Sequence, residues 1–275
     1  MVSVIMPAFN MQDHISAAID SVLGQSFYDW ELIIIDDCST DSTPQIIQEY
    51  AANDPRIRLI RTNKNTNLPG AARNIGIALA TGRYIAFLDH DDVWRSIKLE
   101  RQLEAFSAGG SVDLVHSHLL GLHASPFAKF TTLSNPFRRV ANKITLSERN
   151  VIQCSSVIVR SSTIKVHLGF SEDSELRAVE DYDLWYRISC SGKIVFVSEI
   201  HGQYRISVSG TLANTRLLDK LENFDERNGT QTALYRRGKI KRRAAGIFAF
   251  PISAYFYIVD GEFRIRTGIK PRIWS

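Results

Sequence analysis

The stretch RYIAFLDHDDVW, from Arg83 to Trp94, places three carboxylates directly after a short apolar run. An apolar run of this length, closed by polar residues, predicts a buried strand that ends near Leu88. If the extended geometry continued, the side chains of Asp89 and Asp91 would point to the same side. Two carboxylates so placed repel each other unless a cation lies between them, and hard divalent ions prefer oxygen ligands. Helix capping by Asp89 or Asp92, ahead of a helix that begins near Trp94, is the other interpretation of this spacing.

The same succession of an apolar strand and polar residues occurs twice before this stretch. VSVIMP, which begins at Val2, ends in a proline, and WELIII, which begins at Trp30, runs into Asp36 and Asp37. Between the strands, apolar residues recur at every third and fourth position, as in amphipathic helices. Alternating strands and helices predict an α/β fold, with a Rossmann-like, mostly parallel sheet flanked by helices. Ligands of such sheets bind beyond the carboxyl ends of the strands, where these polar residues lie.

Composition and charge exclude several classes of protein. The chain has 275 residues, of which 44% are hydrophobic and 23% are charged, as in ordinary globular proteins. A net charge of +4 does not favour a nucleic-acid partner. The three cysteines are far apart and form no C-x-x-C pair, which favours a reduced, cytoplasmic compartment over a disulfide framework or a zinc site. The opening MVSVIMPAFN lacks the basic lead and the length of a signal peptide.

Four stretches, in this order, resemble the family 2 glycosyltransferases, which have the GT-A fold: VSVIMPAFN, ELIIIDDCSTDST, NLPGAARNIGIALATGRYIAFLDHDDVW and VEDYDLWYRI. The resemblance covers roughly residues 2–205 and is to the bacterial type that assembles surface polysaccharides. It implies an inverting, metal-dependent enzyme. Such an enzyme moves a sugar from a nucleotide-sugar, with a UDP-sugar favoured, to a glycan or lipid-linked acceptor.

The resemblance implies nucleotide-binding roles for seven matched positions. One group lines the nucleoside pocket in the loop after the first strand. A carboxylate after the second strand accepts a hydrogen bond from uracil or ribose, an arginine contacts the base or the phosphates, and a further carboxylate reaches the ribose. The positions are Pro7, Ala8, Asn10, Asp36, Asp37, Arg73 and Asp89.

The resemblance also implies the metal site and the catalytic residues. Asp89 and Asp91 match the D-x-D motif of the family, with Asp91 as the expected ligand of Mn²⁺ or Mg²⁺ and Asp89 near it. Asp181 matches the catalytic base, which takes the proton of the acceptor hydroxyl. Glu180 would orient Asp181 or bind the acceptor. First-turn carboxylates that favour a helix dipole are the structural alternative for both residues.

One position departs from the family pattern. Many relatives carry Y-R-x-H after the last strand, and the histidine reaches the diphosphate or the metal. This chain reads YRIS, so Ser207 stands at that position. We therefore expect the metal to depend on Asp91, phosphate and water.

The end of the chain differs in composition from the rest. YRRGKIKRR, from Tyr235 to Arg243, holds six basic residues, and the sixteen residues from Ala244 to Val259 carry no charge. A spanning helix needs about twenty apolar residues, and Pro251 interrupts this run. The pattern favours a helical tail on the inner face of the cell membrane, with a helix packed on the catalytic domain as the alternative.

We expect a catalytic domain over residues 1–210, with a nucleotide-binding half (1–110) and an acceptor-binding half (111–210), and a tail over 211–275. Two other functions stay open at this point. One is a nucleotidyltransferase that makes activated sugars, although PAFNMQDH after the first strand lacks the Gly-rich, basic loop of such enzymes. The other is a non-catalytic partner with the same fold in a membrane assembly complex.

Overall fold

A computed structural model describes residues 1–108, 110–122, 146 and 150–205, and the backbone of 255–259 and 262–266. Strands and helices alternate along the first half of the chain, as the apolar pattern predicts. The strands are β1 (Val2–Ala8), β2 (Trp30–Asp36), β3 (Ile57–Arg61), β4 (Tyr84–Phe87), β5 (Val93–Trp94), β6 (Leu114–Gly121), β7 (Ile158–Arg160) and β8 (Ile194–Tyr204). The helices are α1 (Ile15–Leu23), α2 (Thr43–Asn53), α3 (Pro69–Leu79), α4 (Lys98–Ser107), α5 (Ser161–Val166) and α6 (Glu180–Ser191).

These eight strands form one sheet in the order β3-β2-β1-β4-β7-β6-β8-β5. The pairs β1–β2, β2–β3, β1–β4 and β6–β8 are parallel, whereas β7 and β5 run antiparallel to their neighbours. The expectation of a mostly parallel sheet is therefore confirmed. The carboxyl ends of β1, β2 and β4 lie side by side at one edge, and this arrangement positions the site described below.

Helices cover both faces of the sheet, because the strand side chains alternate between two apolar clusters. Val4 of β1 and Leu32 of β2 pack on one face against α1, α2 and α4. Ile5 lies on the opposite face, in the cluster that includes Trp185 of α6, while Ile33 packs against α3. Strands buried on both faces read as continuous apolar runs, as these do.

The chain turns sharply after β4 and does not continue as a strand through its carboxylates. β4 ends at Phe87, and the Asp92 N–H donates to the Asp89 carbonyl at 3.0 Å, which closes a turn. The expectation that extended geometry aligns Asp89 with Asp91 is wrong for this reason. Helix capping by these residues is not observed either, because the next helix, α4, begins at Lys98.

The predicted helical tail lies mostly outside the described residues, as does Ser207. The described part consists of β9 (Tyr255–Val259) and β10 (Glu262–Arg266), which form an antiparallel pair, so these residues are strands and not the predicted helix. Among the described residues, no helix has the length and apolar character needed to cross a membrane. All three cysteines are free thiols, as the spacing indicated.

Candidate active site

A pocket of about 420 Å³ opens at the carboxyl ends of β1, β2 and β4. This is the edge at which a parallel α/β sheet binds its ligands. Six of the residues singled out from the sequence line it together: Pro7, Ala8, Asp37, Arg73, Asp89 and Asp91. These six residues come from segments that are up to 84 positions apart in the chain, from Pro7 to Asp91.

The turn from Asp89 to Asp92 is held by residues outside it. The Asp89 N–H donates to the Ser155 hydroxyl at 3.0 Å, and that hydroxyl also hydrogen-bonds the Asp92 carboxylate. His90 Nδ1 lies 2.8 Å from the Pro7 carbonyl, so it must carry the hydrogen and donate it to β1. The loop that presents Asp89 and Asp91 to the pocket is thus fixed to both the first strand and the segment before β7.

Two of the crowded carboxylates, those of Asp91 and Asp92, have raised pKa values. Burial, together with the Asp89 charge, raises the pKa of Asp91 above its ordinary value. Burial and the charges of Asp89 and Asp91 raise the pKa of Asp92 to about 8. Asp92 is buried and accepts a hydrogen bond from the Arg205 N–H at 3.0 Å. Asp92 therefore closes the loop, whereas Asp89 and Asp91 face the pocket.

Arg73 joins the pocket to helix α6. Its guanidinium lies 2.7 Å from Asp89 Oδ1 and 3.0 Å from Glu180 Oε1, and its side chain is only 6% exposed. Both terminal nitrogens are occupied by carboxylates, as expected of a buried cation. The resemblance implied contact with the base or the phosphates, which stays a prediction; the structure shows that Arg73 also connects the Asp89 loop to α6.

Asp181 lies in the first turn of α6, next to Glu180. It does not line the pocket itself, but the charges of Arg73 and Asp89 act on it. Burial and the Glu180 charge raise the pKa of Asp181 to about 7, although part of its surface stays open to solvent. A carboxylate with a pKa near neutrality is suited to take up a proton at physiological pH.

Two other predicted nucleotide-binding residues lie away from the pocket lining. Asp36 is fully buried, and its carboxylate is ion-paired with Arg61 at 2.9 Å. Asn10 has a positive φ of 51° and its side chain accepts the Thr40 N–H at 2.8 Å. Asp37, one residue after Asp36, lines the pocket and is oriented by the N–H and hydroxyl of Thr66.

Several residues of the site had not been singled out from the sequence. Phe9 and Arg177 line the pocket, as do Asn65, Asn67 and Leu68 just before α3. Ser155 orders the carboxylate turn from a distance of 66 positions. Phe9 directly follows two selected residues and could have been found, whereas no local pattern marks Ser155 or Arg177.

The chain matches a family model over residues 3–166, and the family is described as glycosyl transferase family 2. It is 33% identical over 216 residues to the UDP-Glc:alpha-D-GlcNAc-diphosphoundecaprenol beta-1,3-glucosyltransferase WfgD of Escherichia coli, which covers 78% of this chain and 80% of WfgD. It is 32% identical over 231 residues to the succinoglycan biosynthesis protein ExoO of Rhizobium meliloti, which covers 80% of this chain and 65% of ExoO. The chain thus spans slightly less than two thirds of ExoO.

Solved structures share the fold. A crystal structure of S. aureus TarS 1–349 with UDP-GlcNAc superimposes with a TM-score of 0.63 at 20% identity, covering 81% of this chain and 64% of that one. The mannosyltransferase PcManGT of Pyrobaculum calidifontis, in complex with GDP-Man and Mn²⁺, gives a TM-score of 0.64 at 17% identity, covering 90% and 75%. The α/β fold with its mostly parallel sheet is thus of the GT-A type, and the chain belongs to glycosyl transferase family 2, among the glycosyltransferases of bacterial surface-polysaccharide biosynthesis.

Proposed function

We propose that the chain transfers a sugar from a nucleotide-sugar donor, with a UDP-sugar favoured, to a glycan or lipid-linked acceptor, with inversion at the anomeric carbon. The observation that carries this proposal is the pocket itself. It has a carboxylate on β2's side, Asp37, and two carboxylates on β4's side, Asp89 and Asp91, at the ligand-binding edge of the sheet.

The donor's nucleoside fits the side of the pocket formed by the ends of β1 and β2. Asp37 there can accept a hydrogen bond from the N3–H of uracil or from a ribose hydroxyl, since an ionised carboxylate only accepts. Pro7, Ala8 and Phe9 give this side an apolar wall on which a base can lie. The structures of TarS and PcManGT were solved with UDP-GlcNAc and GDP-Man, which supports a nucleotide-sugar as ligand of this fold.

The residues on the other side of the pocket fit a divalent cation. Asp91 and Asp89 offer the carboxylate oxygens that Mn²⁺ and Mg²⁺ prefer. Burial and the Asp89 charge raise the pKa of Asp91, and a bound cation would relieve this repulsion. The described residues hold no group of three or more His, Cys, Asp and Glu placed to bind a metal alone, so phosphate and water would complete the ligands. When bound, the cation would neutralise the charge of the departing diphosphate.

Asp181 is the proposed general base. It would take the proton from the acceptor hydroxyl while that oxygen attacks the anomeric carbon, and the bond from this carbon to the diphosphate would break in the same step. Its pKa of about 7 makes it both ionised and basic near neutral pH. Arg73 and Glu180 would hold the helix that carries Asp181 at a fixed distance from the donor loop.

A relative supports the proposed lipid-linked acceptor, and the composition of the tail supports the proposed membrane association. WfgD is named for an acceptor linked to diphosphoundecaprenol. The basic cluster of Tyr235–Arg243 and the uncharged run after it would hold this chain on the cytoplasmic membrane surface, where such an acceptor lies.

A calorimetric screen of nucleotide-sugars with Mn²⁺, repeated with EDTA, tests the proposal. We expect UDP or a UDP-sugar to bind with micromolar affinity and to bind much more weakly with the chelator. Absence of binding by every nucleotide-sugar would contradict the donor assignment. Equal affinity with and without EDTA would contradict the metal assignment alone.

A further inference from the structure

The pocket holds three carboxylates and two guanidinium groups, and among the described residues only one of these two cations is free of carboxylate partners. Asp37, Asp89 and Asp91 supply the negative charge, and Arg73 and Arg177 supply the positive charge. Arg73 is buried and spends both terminal nitrogens on Asp89 and Glu180. Arg177 is exposed and makes no ion pair with any described residue. The two arginines therefore have different tasks.

The backbone around Arg177 is built to present this side chain at the pocket. Leu176 and Val179 on either side are buried in the apolar core, so the two residues between them must face outwards. Ala178 takes a φ of 71°, a conformation that is uncommon for any residue except glycine, and this turns the chain from Arg177 into α6.

The segment that carries Arg177 is fastened to α3 at both ends. Asn74 of α3 exchanges two hydrogen bonds of 2.9 Å with the backbone of Phe170 at one end. Arg73 of the same helix bonds Glu180 at the other. Because α3 begins at the pocket, both ends of the segment that carries Arg177 are fixed to a helix that borders the pocket.

We propose that Arg177 binds the diphosphate of the donor and that Arg73 acts as a positioning residue. The inference rests on the proposed function, since it requires a nucleoside diphosphate in this pocket. A guanidinium donates two parallel N–H bonds to phosphate oxygens, and such charge-assisted pairs are strong. The carboxylates of the pocket repel a diphosphate, and Arg177 offers beside them a positive charge that no described carboxylate neutralises.

A comparison of UDP with uridine tests the assignment, because only UDP carries the diphosphate. We expect Arg177→Gln to weaken UDP binding in calorimetry by about tenfold or more and to leave uridine binding, followed by ligand-observed NMR, within about twofold. Arg177→Lys, which keeps the charge but loses the planar fork, should fall between. Arg101→Gln is the matched control, since Arg101 is exposed on α4 and pairs only with Glu104 among the described residues.

Two results would overturn the assignment. Unchanged UDP affinity in Arg177→Gln would show that Arg177 does not contact the diphosphate. An equal loss for UDP and uridine would show that the residue shapes the pocket without binding phosphate. If the wild-type chain binds no nucleoside diphosphate, the proposed function itself fails, and the assignment fails with it.

Discussion

At the scale of single residues, the carboxylates of the site differ in surroundings and therefore in task. Asp91 faces the pocket with its pKa raised by burial and by the Asp89 charge. Asp89 is neutralised in part by Arg73 at 2.7 Å. Asp181 lies outside the pocket lining, in the first turn of helix α6, and its pKa is raised to about 7. Metal binding and proton transfer can thus be separated by substitution.

We expect Asp91→Asn to lower transfer by at least about 100-fold while the fold stays intact. The amide keeps the shape of the side chain but supplies only one neutral oxygen, so it cannot replace an anionic metal ligand. Steady-state assays over a range of Mn²⁺ concentrations, with circular dichroism as the control for folding, measure this effect. Full activity of the variant at low Mn²⁺ would contradict the role of Asp91.

Asp181→Asn should bind donor normally and lose transfer by about 10²–10⁴-fold, the usual contribution of a general base. The wild-type rate should also fall about tenfold per unit of pH below 7, because the base is then protonated and the pKa of Asp181 is about 7. A pH profile of kcat for both proteins checks this. The residual activity of the variant should lack the acidic limb. A collapse of donor affinity with normal turnover at saturation would make Asp181 a binding residue.

At the scale of elements, the site depends on contacts between segments that are distant in the chain. The short 3₁₀ helix Cys154–Ser156 supports the carboxylate turn through Ser155, whose carbonyl also accepts the Trp94 indole N–H at 2.8 Å. Helix α3 supports both the Asp89 loop and the start of α6 through Arg73. These supports explain how a turn rich in like charges stays ordered.

Ser155→Ala should weaken donor and metal binding several-fold, because the Asp89 N–H loses its acceptor and the turn loosens. Loss of one partner of a partly buried hydrogen bond costs roughly 1–3 kcal/mol. The Mn²⁺ dependence of activity and the Tm measure the two parts of this effect. Ser156→Ala is the matched control, since among the described residues the Ser156 hydroxyl bonds only the Gln153 carbonyl of its own turn. Equal effects on Mn²⁺ dependence in the two variants would contradict the positioning role of Ser155.

Gly76→Ala should destabilise the protein although alanine favours helices. A Cβ at Gly76 of α3 would lie 2.6 Å from Cγ2 of Ile5 on β1. Overpacking of this kind costs about 1–3 kcal/mol, against about 1 kcal/mol gained in helix propensity. Urea unfolding measures the net change. In an Ile5→Ala background, which removes the clash, the same substitution should become neutral or stabilising, and a stabilising effect in the wild type would refute close packing of α3 on β1.

At the scale of the whole molecule, the sequence predicts most of the sheet and part of the site. Strands such as Val2–Ala8 and Trp30–Asp36 are continuous apolar runs, so both the strands and their burial can be predicted from the sequence. The position of β7 between β4 and β6 cannot be predicted in this way, because strand order depends on long-range pairing. Asp36 and Asp37 show the same limit within a site: adjacent side chains at a strand end point to opposite sides, and only the fold tells which one meets the pocket.

Long-range ion pairs could also not be predicted from the sequence. Arg73 and Glu180 are 107 positions apart, and neither local pattern indicates the other. The motif alone therefore suggested that Arg73 meets the ligand. The structure shows in addition that two of its N–H groups donate to carboxylates, those of Asp89 and Glu180.

The tail is expected to hold the whole chain on anionic membranes. Each basic residue near such a surface contributes about 1 kcal/mol, and six of them lie between Tyr235 and Arg243. The chain should sediment with anionic liposomes, less so with neutral ones, and reversal of charge at Arg236, Arg237, Arg242 and Arg243 should weaken binding most at low salt. Failure of the intact chain to bind anionic liposomes would favour a tail packed on the catalytic domain.

The central claim is that this pocket transfers a sugar from a nucleotide-sugar with Asp181 as base. The most direct measurement is release of the nucleoside diphosphate from a panel of donors, with polyprenyl-diphosphate-linked sugars as acceptors, for the wild type and Asp181→Asn. We predict that the wild type releases UDP from at least one UDP-sugar only with acceptor and Mn²⁺ present, and that the variant binds this donor without releasing UDP. Formation of a nucleotide-sugar from a sugar phosphate, or equal UDP release by both proteins, would contradict the claim.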